Sequence, residues 1–249
     1  MNKFQVPFPD DETIKREIQQ IVKKGIKPKP SFMIYIKQML KQIGLRYLFV
    51  NQWEGGFVTL SVFIVLMLFF NEMVQSIRME SQIYPIIFLI SPLLYTVLSI
   101  YDFSHKRHHE TYEVEMVAKY NVFQLTAYKM LVFSVLTILI NSICIGLLAF
   151  RMEEIHFIQG ILISTISLFL FSILFLACLM KRPTAITAGI VNSSWVIGHL
   201  ILIWTFKDGY RMFLQKLPPI VYLIVITLSI VIYICYLQKL VQRTQVEGV

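Results

Sequence analysis

The chain has 249 residues, 56% apolar and only 15% charged, with a net charge of +8 and a mean hydropathy of +0.65. A soluble domain carries about 45–50% apolar and about 25% charged residues, so this composition excludes a conventional soluble fold. Six stretches contain no Asp, Glu, Lys or Arg, namely Gly55–Asn71, Ser81–Tyr101, Met130–Phe150, Ile155–Met180, Pro183–Phe206 and Leu217–Gln238, and together they hold 131 residues.

In chain order, residues 1–30 form a polar segment that is expected to be cytoplasmic. Pro9-Asp10-Asp11-Glu12 opens a helical stretch, with acids at the positive end of the helix dipole, and Lys23-Lys24-Gly25 closes it. Lys27-Pro28-Lys29-Pro30 then interrupts the chain. Residues 31–50 read as an amphipathic helix. Phe32, Ile36, Met39, Leu40, Ile43 and Tyr47 share one face, and Lys37, Gln38, Lys41, Gln42 and Arg46 share the other. A cationic amphipathic helix beside a span lies in the membrane interface, and Trp53 suits a headgroup-level anchor.

Residues 51–238 then carry the six apolar runs. A helix needs roughly 20 apolar residues to cross hydrocarbon; each run qualifies, the first only with its flanking residues. Lipid offers no hydrogen-bond partner to the backbone, so a spanning segment must be a helix or part of a closed barrel. Barrel strands would alternate in polarity over about ten residues, and no such pattern occurs. The predicted fold is therefore all-α: a polytopic membrane protein with six transmembrane helices preceded by a cytoplasmic amphipathic elbow helix. Pro85 and Pro92, seven residues apart, fall on one face of the second span and predict a kink there. The connection Lys207–Leu217 between the last two spans is short, and residues 239–249 form a tail.

Lys and Arg mark cytoplasmic loops. With six spans, eighteen of the 23 fall on the side of the termini and five on the other. Both termini are thus expected in the cytoplasm and the chain in the plasma membrane. The same cations would attract anionic lipid. No basic stripe with interleaved aromatics occurs outside the spans, so nucleic acid is not an expected partner. Cys144, Cys178 and Cys235 all fall within spans, an odd count that makes no disulfide framework.

Catalytic signatures are sparse. There is no P-loop, no Gly-rich dinucleotide fingerprint, no His-Glu-x-x-His and no Gly-x-Ser-x-Gly. The nearest approach to a metal site is His105, His109 and Glu113, which a continuous helix would place on one face; the competing reading is a solvated basic loop. No charge interrupts the six runs, which argues against ion coupling. Uncharged polar residues remain: Asn141 in the third span, and Asn192, Ser193, Ser194 and His199 in the fifth. They are candidates for a substrate path, against the plainer role of helix–helix hydrogen bonding.

The connection between the second and third spans, Asp102–Lys129, is the longest between spans. It carries Glu113, Glu115, Met116, Tyr120, Phe123 and Gln124, a mixture of acids and bulky apolar groups that suits a docking surface for a protein partner. A basic cytoplasmic segment, an elbow helix, six spans and a Glu-x-Glu segment followed by a helix containing Tyr120 and Gln124 resemble an ABC transporter permease of the type-two exporter class. Peptide exporters of Gram-positive bacteria are similar in layout.

The resemblance implies a permease that binds no cofactor and is not itself an enzyme. ATP and Mg would sit on a separate ATPase subunit dimer, which docks on the 102–129 coupling loop. A second permease copy or a paralogue would complete the path, with membrane lipids around it. Two alternatives from other classes are a membrane-embedded metal-dependent enzyme built on His105, His109 and Glu113, and a non-transporting membrane receptor or immunity protein. The uncharged spans suit a hydrophobic or amphipathic cargo, a peptide ahead of a lipid.

Overall fold

A computed structural model describes residues 10–25, 32–43, 52–75, 83–108, 122–152, 155–181 and 184–242. Every regular element in them is helical: α1 Asp11–Gly25, α2 Phe32–Ile43, α3 Gln52–Gln75, α4 Ile83–Ile90, α5 Leu93–His108, α6 Val122–Arg151, α7 Phe157–Lys181, α8 Ala185–Lys216 and α9 Pro219–Gln242. No strand occurs among the described residues.

The chain divides into two compact units, residues 1–42 and 43–249. In the first, Asp10 caps α1: the Thr13 N–H donates to Asp10 Oδ1 at 3.3 Å, and the Thr13 hydroxyl donates to the same oxygen. These bonds, the hydroxyl's first, hold the Asp10 carboxyl below its usual range. Ile18 and Ile21 are exposed on α1. On α2, Met39 is buried, Ile36 half-buried and Leu40 exposed; Tyr47 lies outside the described residues, as do the side chains of Phe32 and Ile43.

The second unit is a membrane-embedded helical bundle. Five segments are long and apolar enough to cross a membrane: Ile83–Asp102, Gln124–Arg151, Phe157–Lys181, Ile186–Phe206 and Pro219–Val241. The first of the six expected spans falls in α3, a 24-residue helix whose described apolar stretch, Trp53–Phe69, is shorter than the other five. In the sequence, the charge-free run of this span, Gly55–Asn71, lies between Glu54 and Glu72.

α7 is the hub. It packs against α4, α6, α8 and α9, while α3 lies against α5 and α6. The residues that α7 buries include Gly160, Ser164, Ser167, Phe171 and Phe175. A Cβ on Gly160 would come within 2.8 Å of Ile145 Cγ2, so glycine here lets α6 and α7 approach closely. α8 and α9 lie at the periphery and leave Ile190, Ile197, Ile201, Leu223, Ile224 and Leu228 exposed, as expected for helices facing lipid.

The Lys207–Leu217 connection is not a loop. α8 continues as helix to Lys216, and α9 starts at Pro219, where the missing N–H costs nothing. The last carbonyls of α8 are satisfied from outside: Gln159 Nε2 donates to Leu214 O at 3.2 Å and to Gln215 O at 2.9 Å, and the Tyr222 hydroxyl also donates to Leu214 O.

Candidate functional site

The 28-residue connection expected between the second and third spans is shorter in space. α5 extends to His108 and α6 begins at Val122, leaving residues 109–121, which lie outside the described residues together with Glu113, Glu115, Met116, Tyr120 and His109. Phe123 is helical, Gln124 is half-buried in the first turn of α6, and His105 lies on α5. Among the described residues no group of three His, Cys, Asp or Glu side chains could hold a metal ion.

The helices on either side of residues 109–121 are joined by an ion pair. Lys129 Nζ donates to Asp102 Oδ1 at 2.5 Å, with side chains only 3% and 6% exposed. The sequence places both residues at the ends of the connection Asp102–Lys129, and the structure places both inside the bundle. Charges buried at a bundle end persist only when paired, because desolvation of either alone costs several kcal/mol, about as much as a small domain can spare. The pair ties the end of α5 to the first turns of α6. Adjacent contacts fix the same ends to other helices. Tyr101 OH donates to Glu54 Oε2 on α3 at 3.1 Å, and Tyr233 OH on α9 donates to Met130 O at 3.0 Å. The sequence does carry a signal for it: opposite charges stand at the facing edges of neighbouring apolar runs, Asp102 after Ser81–Tyr101 and Lys129 before Met130–Phe150.

The expected proline kink forms, at one of the two prolines. The helix breaks at Ser91-Pro92, between α4 and α5. Pro85 sits in the first turn of α4, where a backbone N–H has no intrahelical acceptor, and it bends nothing. Pro92 lacks the N–H that would reach Phe88 O. Side chains from three other helices supply donors around the break. Ser167 on α7 donates its hydroxyl to Phe88 O, Trp195 Nε1 on α8 reaches Leu89 O at 3.4 Å, and Asn141 Nδ2 on α6 donates to Ser91 O at 2.9 Å. Asn141 Nδ2 also donates to Ser164 Oγ at 3.1 Å. Polar side chains of neighbouring helices are what make a broken span tolerable in lipid.

The five candidate path residues therefore separate. Asn141 is buried and committed to the kink. Ser193 and Ser194 are exposed on the outer face of α8, while Asn192 and His199 are half-buried. His199 packs in an aromatic cluster, 4.2 Å from the Trp195 ring and 5.1 Å from that of Phe88, with Tyr210 at 6.4 Å. Its Nδ1 donates to Trp195 O at 2.8 Å. These five do not line one surface. The sequence did not identify Ser167 and Trp195 as partners of the kink. Pro92 shows which carbonyl is orphaned, but only packing reveals which side chain reaches it.

Comparison of the chain with protein families, with curated proteins and with solved structures finds no match.

Proposed function

We propose that the chain is the permease subunit of an ATP-driven exporter of the ABC type-two class, coupled to a separate ATPase through the segment between α5 and α6. The observation that carries this reading is the buried Asp102–Lys129 pair. A lever needs a stiff mounting, and this pair, with Tyr101–Glu54 and Tyr233–Met130, fastens both stems of residues 109–121 to the bundle. Glu113 and Glu115 on that segment supply the docking acids, and Met116, Tyr120, Phe123 and Gln124 the contact surface.

In this reading α3 is the sixth span, α2 is the elbow in the interface, and both termini are cytoplasmic at the plasma membrane. ATP binding draws the ATPase dimer together, the segment moves with it, and α5 and α6 carry that displacement into the bundle. The ATPase shifts the permease only by its differential affinity for the two conformations. The exposed faces of α3, α8 and α9 meet lipid and a second permease copy or paralogue. The cargo is hydrophobic or amphipathic, a peptide first and a lipid second, because no apolar run contains a charge that would pair with a small ion.

The test is a detergent pull-down of the tagged chain from its native membrane, comparing wild type with Glu113→Ala/Glu115→Ala. A P-loop ATPase should accompany wild type and be lost from the double variant. Wild type recovered without an ATPase would overturn the reading.

A further inference from the structure

α1 is a 15-residue helix with two unlike sides. Ile14, Ile18 and Ile21 stand at i, i+4 and i+7 and form one apolar stripe. Ile14 is half-buried, but Ile18 and Ile21 are 53% and 69% exposed, so most of the stripe lies open. Lys15, Arg16, Gln19 and Gln20 are exposed on the remainder of the helix. A helix this short is marginal in water on its own and draws its stability from burying an apolar face.

The charge around the stripe selects what covers it. Residues 1–42 hold nine Lys and Arg against four Asp and Glu. The four acids are Asp10, Asp11, Glu12 and Glu17. Over residues 18–53 seven Lys and Arg follow, from Lys23 to Arg46, with no acid among them. An anionic membrane surface attracts such a segment, by a factor of about five for each cation near it. Protein pockets are filled mainly by aromatic anchors, and α1 contains no Phe, Tyr or Trp. Aliphatic side chains flanked by long cations match the boundary between headgroups and acyl chains, where the stems rest on apolar surface and the charged heads stay in water. Residues 26–51 alone separate α1 from α3, and the chain runs on into a membrane-embedded bundle, so a bilayer is always within reach.

We propose that α1 docks on the anionic lipid surface of the membrane that holds the bundle, with Ile14, Ile18 and Ile21 in the interface. The acids of the first turn are repelled by that surface. The helix therefore enters by its C-terminal half, with Ile18 and Ile21 deepest and the Asp10 cap lifted toward water. This membrane contact is separate from the elbow assigned to α2 and does not depend on the exporter reading.

The test is nitroxide spin labelling of the full chain in lipid nanodiscs of phosphatidylcholine, with and without phosphatidylglycerol. Ile18→Cys and Gln20→Cys are labelled separately in a Cys178→Ala/Cys235→Ala background, where the remaining Cys144 is buried. Both positions are exposed on α1, and the helical repeat puts them on opposite sides. With phosphatidylglycerol present, the label at 18 should meet oxygen several-fold more, and a water-soluble nickel chelate several-fold less, than the label at 20. Lys27→Gln/Lys29→Gln should lower the ratio of docked to free α1 by about 25-fold, returning the label at 18 toward the nickel accessibility it has in phosphatidylcholine alone. Equal nickel accessibility at the two labels with phosphatidylglycerol present overturns the proposal, because α1 then stands in water. A label at 18 shielded from both probes overturns it as well, since the cover would then be protein. Protection at 18 that is the same without phosphatidylglycerol overturns the choice of an anionic surface.

Discussion

Removing one member of the Asp102–Lys129 pair should damage the protein far more than removing both. In Lys129→Met the Asp102 carboxylate keeps its 6% exposure and loses the ammonium 2.5 Å away. Leaving one charge of a buried pair uncompensated costs about 3–5 kcal/mol, whereas replacing both by apolar side chains of similar volume is often neutral or stabilising. One kcal/mol moves the unfolding temperature of a protein this size by about 2–4 °C, so the single variant should unfold roughly 6–20 °C below wild type. Asp102→Leu alone should fall by a similar amount, and Asp102→Leu/Lys129→Met should return to within about 5 °C of wild type, giving a large positive coupling in the double-mutant cycle. Thermal unfolding in detergent can be followed with a thiol-reactive dye in a Cys178→Ala/Cys235→Ala background, since Cys178 is half-buried and Cys235 exposed, whereas Cys144 is buried and reacts only when the bundle opens. A Lys129→Met chain that unfolds at the wild-type temperature would refute the reasoning, because it would mean that water reaches the pair.

Three further outcomes follow from local geometry. Asn141→Leu removes the donors to Ser91 O and Ser164 Oγ and should cost about 1–2 kcal/mol, seen as a fall in unfolding temperature. At the glycines the sign should depend on space. Gly160→Leu must displace buried Ile145 and should destabilise by about 1–3 kcal/mol, whereas Gly209→Ala, with nothing within 4 Å, should stabilise α8 by up to about 1 kcal/mol, both by the same unfolding assay. The Asp10 cap should fail in acid. Its folded pKa lies below the ordinary 3.8, so the cap is intact above that value and is lost as pH falls through the lowered one. The Thr13 amide resonance should therefore titrate with a midpoint below pH 3.8, and the step should vanish in Asp10→Ala.

The helices were legible because their causes are local. An uncharged run of about 20 residues has one way to satisfy its backbone in lipid, so the placement of the last five spans follows from residue type alone. The α1 start at Asp11 was likewise readable, since Asp10 and the acids after it cap a helix without tertiary help. In the sequence α3 is the marginal span, since Glu54 and Glu72 limit its charge-free run to 17 residues. Misreadings arose where a residue's role depends on its neighbours. Lys129 counted as a loop cation because no residue nearby in sequence reveals that Asp102, 27 positions away, will bury it. Polarity alone groups Asn141 with His199, and only packing shows that Asn141 bonds to Ser91 O at the kink while His199 stacks among Trp195 and Phe88.

The sequence by itself thus determined that this is a helical, membrane-embedded chain, and where most of its helices run. The packing alone decided that Asp102 meets Lys129 and that Ser167, Trp195 and Asn141 attend the break at Pro92. The physical reason is that lipid enforces helicity on each segment separately and strongly. Between helices it provides no hydrophobic drive, so contacts worth about 0.6 kcal/mol apiece choose the partners, and those contacts exist only once the helices have come together.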